Sequence, residues 1–200
     1  MNKLLISLLV TLGITGVAHA AGDAAQGKQK VAVCGACHGA DGNSLAPNFP
    51  KLAGQNENYL FKQLKDIKAG DRTVVEMTGM LNSLSEQDLA DIAAYFAGQT
   101  VQIGQAAADQ VALGEEIYRS GIAESGVAAC TACHAPSGQG NNAAGFPALS
   151  GQSAAYVEST LKKFAAGERA NDPSGMMRDI AVKMKDAEIK AVAQYVQGLH

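Results

Sequence analysis

Cys34-Gly35-Ala36-Cys37-His38 returns further along the chain as Cys130-Thr131-Ala132-Cys133-His134. These two stretches hold the only four cysteines of the sequence. C-x-x-C-H is the attachment pattern for c-type haem. Its two thiols add across the porphyrin vinyl groups, and the adjacent histidine sits under the iron as an axial ligand. Two complete copies with no cysteine left over predict two covalently bound haem c groups. Cys34, Cys37, Cys130 and Cys133 are the expected attachment points, and His38 and His134 the expected axial ligands. A disulfide within each pair, or a zinc site built from both pairs, leaves the repeated histidine without a role. A thioredoxin-like C-x-x-C belongs in a βαβ context, and none surrounds either motif.

The chain begins with a short positive start, Met1-Asn2-Lys3, and an apolar run from Leu4 to Val17. That run is short for a bilayer span, and Ala18-His19-Ala20 has the small-x-small form of a cleavage site. Residues 1–20 therefore read as a secretory signal peptide. Covalent haem attachment takes place outside the bacterial cytoplasm, so motif and leader agree on the periplasm. Residues 21–104 carry 7 Lys+Arg against 9 Asp+Glu, and residues 105–200 carry 8 against 10. This even, mildly acidic balance gives no basic surface for nucleic acid. Tryptophan is absent and aromatics make up 5% of residues. Two short halves with so few large side chains need the haems as part of their cores.

The halves repeat beyond the motif. Phe49-Pro50-Lys51-Leu52-Ala53-Gly54-Gln55 aligns with Phe146-Pro147-Ala148-Leu149-Ser150-Gly151-Gln152, at an offset of 97. The same offset pairs Tyr59 with Tyr156, Leu64 with Leu161, Gly70 with Gly167 and Arg72 with Arg169. Nearer the ends of the halves the offset is 100, pairing Tyr95 with Tyr195 and Gly98 with Gly198. A domain of 21–104 is thus duplicated at 105–200. The second copy is about nine residues longer before its motif, around Ser120 to Gly126.

The repeat selects the second axial ligand, which comes from Met or His. At the offset of 100, Met77 falls on Met177, whereas Met80 falls on Ile180, Met176 on Glu76 and Met184 on Leu84. Only Met77 and Met177 place methionine in both halves. Outside the leader and the motifs, only His200 offers a competing imidazole. Two His–Met irons follow. A thioether favours ferrous iron and gives a relatively high potential.

Apolar spacing predicts an all-α chain. Leu60, Leu64 and Ile67 share a helix face that ends at Gly70. Ser85-Glu86-Gln87-Asp88 resembles a capping box ahead of Leu89, Ile92, Ala93 and Phe96. Val157, Leu161 and Phe164 repeat the middle helix, and Ile189, Val192, Ala193 and Val196 the last. Gly98 to Ala108 lacks periodicity and reads as a linker.

The tandem motif, the Ala46–Gln55 stretch, Glu76-Met77-Thr78-Gly79-Met80 and the Tyr195–His200 terminus resemble the cytochrome c4 family. These are periplasmic di-haem class I cytochromes c. The resemblance implies two cytochrome c domains about a pseudo-twofold axis, with haem propionates near the interface. It implies a respiratory electron carrier serving a haem–copper terminal oxidase, fed by an upstream donor such as a cytochrome bc complex. It leaves membrane association open. It also implies a loop proline carbonyl that orients the axial histidine, a role that falls on Pro47, with Ala144 as counterpart. Arg72 and Arg169 are candidates for the propionates. Tyr59 and Tyr156 read as core aromatics or haem-edge hydrogen bonders, with core packing favoured. The competing readings are a di-haem peroxidase or nitrogen-oxide reductase, which needs an open iron, and an electron-accepting subunit of a dehydrogenase.

Overall fold

The computed structural model describes residues 22–200, so the expected leader at 1–20 lies outside the described residues. The first half contains α1 (Ala24–Lys30), α2 (Gly35–His38), α3 (Glu57–Ala69) and α4 (Glu86–Ala97). The second contains α5 (Ala108–Ser120), α6 (Thr131–His134), α7 (Ala154–Ala165), α8 (Met176–Ala181) and α9 (Asp186–Gly198). Among the described residues there is no strand, only two isolated antiparallel bridges, Ile122–Val127 and Asn141–Phe146. No helix among them is long and apolar enough to cross a membrane.

The helix ends follow local chemistry. Asp23 accepts the amides of Ala25 and Gln26 at 2.8 and 3.2 Å and starts α1. Ser85 and Asp88 form the reciprocal capping box of α4. Gly70 ends α3 in the left-handed region, with φ 88°. The buried positions keep the offset of 100: Leu81 and Ala181, Leu89 and Ile189, Ile92 and Val192, Phe96 and Val196.

In each half the first helix crosses the last at a glycine. A Cβ on Gly27 would lie 2.0 Å from the Asp91 carbonyl oxygen, and one on Gly114 would lie 2.3 Å from that of Ala191. These crossings hold α1 on α4 and α5 on α9, the principal helix pairs of the two halves. Gly114→Val is expected to force the α5–α9 pair apart and to destabilise the protein by about 1–3 kcal/mol, as overpacking does. A denaturant melt of the haem-loaded protein measures it, and an unchanged midpoint would contradict this packing.

The halves meet through reciprocal bonds. Gln55 donates to the Ala148 carbonyl at 2.9 Å and accepts the Ala148 amide at 2.7 Å. Gln152 donates to the Lys51 carbonyl at 2.9 Å and accepts the Lys51 amide at 2.8 Å. Gln55 and Gln152 are repeat partners, as are Lys51 and Ala148. Each glutamine therefore serves the other half's copy of the same backbone, as a twofold operator requires. Both glutamines are buried, and a buried amide without partners would be costly.

Candidate functional site

Each C-x-x-C-H stretch is one turn of helix. The His38 amide donates to Cys34 O at 3.0 Å, and that of His134 to Cys130 O at 2.9 Å. Residues three apart lie on one helix face, so both thiols of a pair face the same side, with the histidine next along the chain. No disulfide joins the two cysteines of either pair. Burial pushes the Cys34 and Cys130 thiols up, Cys130 to about 11. No group of three or more His, Cys, Asp or Glu among the described residues is placed to hold a metal ion. The two pairs are therefore not brought together as a zinc site.

The chain reverses directly after each histidine. Gly39 takes φ 80° and ψ 148°, and Ala135 takes φ 64° and ψ 158°. For alanine this is strained backbone, costing on the order of 1–3 kcal/mol. The Tyr118 hydroxyl, on a fully buried ring, donates to the Ala135 carbonyl at 2.7 Å and helps to hold the turn.

Both imidazoles are buried, each 8% exposed. Nδ1 of His38 lies 2.9 Å from Pro50 O, and Nδ1 of His134 lies 3.0 Å from Pro147 O. A carbonyl only accepts, so Nδ1 carries the proton and Nε2 keeps its lone pair for a metal. Burial pushes both imidazoles below their ordinary pKa, while the carbonyls act the other way. The expected role of Pro47 is thereby corrected: Pro50 supplies the carbonyl, and its counterpart is Pro147, not Ala144. The Pro47 carbonyl instead accepts the Ser153 hydroxyl of the other half. The Phe-Pro pair shared by both repeats was the available signal.

Met77 ends a 3₁₀ turn, Val75–Met77, and is half-buried. Met177 lies on the first turn of α8 and packs on the second-half core, as Cys130 does. Its neighbour Met176 is 40% exposed. Met184 also packs on that core, and its repeat partner Leu84 packs on the first-half core. Position 84/184 is thus a core position in both halves.

The arginine–tyrosine pairs reach across the interface. Arg72 donates to the Tyr156 hydroxyl at 3.1 Å, and Arg169 to the Tyr59 hydroxyl at 3.0 Å. Both arginines also donate to the Gln63 side-chain oxygen, at 2.8 and 3.0 Å. Arg169 is buried over the Phe164 ring, 4.5 Å from its centroid. Tyr59 and Tyr156 are half-buried interface residues and lie outside the two core clusters. Among the described residues no carboxylate pairs with either guanidinium. Burial pushes the Tyr156 phenol up, but Arg72 and Arg169 outweigh it and hold it below its ordinary value. This corner of the interface favours negative charge. Paired thiols, a neutral histidine with a free Nε2, a thioether in each half and a cationic interface fit a carboxylate-bearing haem in each half.

Fold and site together define a c-type cytochrome built twice. The cytochrome c family model matches residues 24–99 and again 111–200. The chain is 61% identical over 201 residues to cytochrome c4 of Pseudomonas aeruginosa, covering all of both chains. The crystal structure of reduced recombinant cytochrome c4 from Pseudomonas stutzeri superposes with a TM-score of 0.88 at 55% identity, covering 90% of this chain and 100% of that one. A thiosulfate dehydrogenase electron acceptor from Thiomonas intermedia is 40% identical over 84% of this chain and 78% of its own length. The chain belongs to the cytochrome c4 family. It carries two covalently bound haem c groups and works as an electron carrier, not an enzyme.

Proposed function

We propose that the protein is a periplasmic carrier that takes electrons from an upstream respiratory donor, such as a cytochrome bc complex, and delivers them to a haem–copper terminal oxidase. The domains are 21–104 and 105–200, after removal of residues 1–20. Cys34, Cys37, His38 and Met77 hold the first haem, and Cys130, Cys133, His134 and Met177 hold the second. Arg72 and Arg169 face the propionates, because guanidinium suits carboxylate geometry and neither has a carboxylate partner among the described residues. The observation that carries this reading is the recurrence, in both halves, of a carbonyl-anchored histidine together with a methionine at one repeat position. Two irons each closed by His and Met offer no vacant site to a substrate. Haems held this way would exchange electrons through their edges rather than at an open iron.

The reduced protein is expected to be oxidised rapidly by a terminal oxidase and to turn over hydrogen peroxide negligibly. Its association rate should fall as salt rises, since charged docking surfaces act within about a Debye length, roughly 8 Å at physiological ionic strength. Oxidase-coupled oxidation and peroxide turnover, measured on the same sample, test the proposal. High peroxide turnover with ready carbon monoxide binding would overturn it. The 40% identical relative that accepts electrons from thiosulfate dehydrogenase favours a second reading, in which a dehydrogenase is the donor. Reduction by such an enzyme, faster than by a bc complex, would select it.

A further inference from the structure

The two Met loops are built differently. Four residues separate Arg72 from Met77, and seven separate Arg169 from Met177. The longer loop folds back on itself through Ser174 (φ 53°) and Gly175 (φ 73°). This lets Asp172 reach residues five and six places ahead. Its Oδ2 accepts the Met177 amide at 2.9 Å and the Arg178 amide at 3.0 Å. Its Oδ1 accepts Arg178 Nε at 2.8 Å. The Asp172 side chain is only 4% exposed. In the first half the Met77 amide donates only to the local Val74 carbonyl, at 3.0 Å. The positions matching Asp172 are Val75 at the offset of 97 and Arg72 at 100, so neither is acidic. Beyond α8, Lys183 Nζ donates to the Gly126 carbonyl at 3.3 Å. That carbonyl belongs to the bridged turn Ile122–Val127, within the extra residues that the first half lacks. The second Met loop is thus braced before and after its methionine.

We propose that Asp172 is a positioning residue for Met177, and that it makes the second iron the one that retains its thioether while the first is the one that releases it. The proposal rests on Met77 and Met177 being the axial ligands. An external ligand reaches a closed iron only from the state in which the Met loop has opened. Its apparent affinity is the intrinsic affinity multiplied by the open fraction. Bonds that pin the Met177 amide lower that fraction at the second iron alone.

Imidazole titration of the ferric, haem-loaded protein tests this, read by loss of the weak sulfur-to-iron band at the red end of the visible spectrum. The wild type should lose the band in two equal steps. Met77→Ala should remove the step at lower imidazole and Met177→Ala the step at higher imidazole. In Asp172→Ala the second midpoint should fall about tenfold, the size expected when a side chain that accepts helix amides is lost, with the first midpoint unmoved. Asp172→Asn, which keeps an oxygen for the two amides, should stay within about twofold of wild type on the same grounds. If the alanine variant does not mature with both haems, Asp172→Glu serves, since it keeps the charge and displaces the oxygens. It should show the same selective fall. An unmoved second step, or equal shifts of both steps, overturns the role of Asp172. A full band in Met177→Ala overturns the ligand assignment itself, and the proposal with it.

Discussion

Met77→Ala and Met177→Ala are each expected to abolish half of the sulfur-to-iron band and to leave the other haem unchanged. Each substitution removes the soft ligand that favours ferrous iron. The potential of the affected haem should therefore fall, by about a tenth of a volt or more within the roughly 0.8 V that axial ligation spans. Potentiometric titration followed optically resolves the two haems. The neighbours make sharp controls. Met176 is 40% exposed, and Met184 occupies a core position that is leucine in the first half. Met176→Ala should leave band and potentials in place, and Met80→Ala should do the same. If either removed half of the band instead, the pairing of Met77 with Met177 would be wrong.

Cys34→Ala combined with Cys37→Ala should give a protein with one covalent haem and a largely unfolded first half. The buried first-half cluster is small, comprising Val31, Leu60, Ile92, Ala93 and Phe96. Such a half buries too little protein surface to stand without its haem. The corresponding second-half variant, Cys130→Ala with Cys133→Ala, loses the other haem. Its larger core, with Tyr118, Phe164, Tyr195 and Val196, should keep more helix. Intact mass counts the haems, and far-ultraviolet circular dichroism measures the helix lost. A double variant that still carries two haems would contradict the assignment of the motif.

Much of this was legible in the chain because it depends on local chemistry. The capping box at Ser85–Asp88 and the stop at Gly70 are short-range devices, and both stand in the structure. The spacing of Leu89, Ile92, Ala93 and Phe96 named a buried face, and all four are buried. The carbonyl behind each histidine was harder. Any residue supplies a carbonyl, so a rule about a loop proline pointed to Pro47, three residues before the one that serves. The crossed partners were harder still. Gln55 and Gln152 stand out as repeated polar residues, but that each binds the other half's backbone is a property of the assembled interface. Arg72 and Arg169 likewise exchange tyrosines across the interface. Spacing showed the extra residues around 120–126, while their closure into a bridged turn tied to Lys183 is tertiary.

The most direct measurement is the paired optical and paramagnetic resonance spectrum of the ferric wild-type protein. Two irons closed by histidine and methionine predict two low-spin haems per chain and a sulfur-to-iron band with the intensity of two thioether bonds. A high-spin signal from half of the irons, with the band at half intensity, would contradict this. It would mean that one iron is open to substrate and that the protein is not solely a carrier.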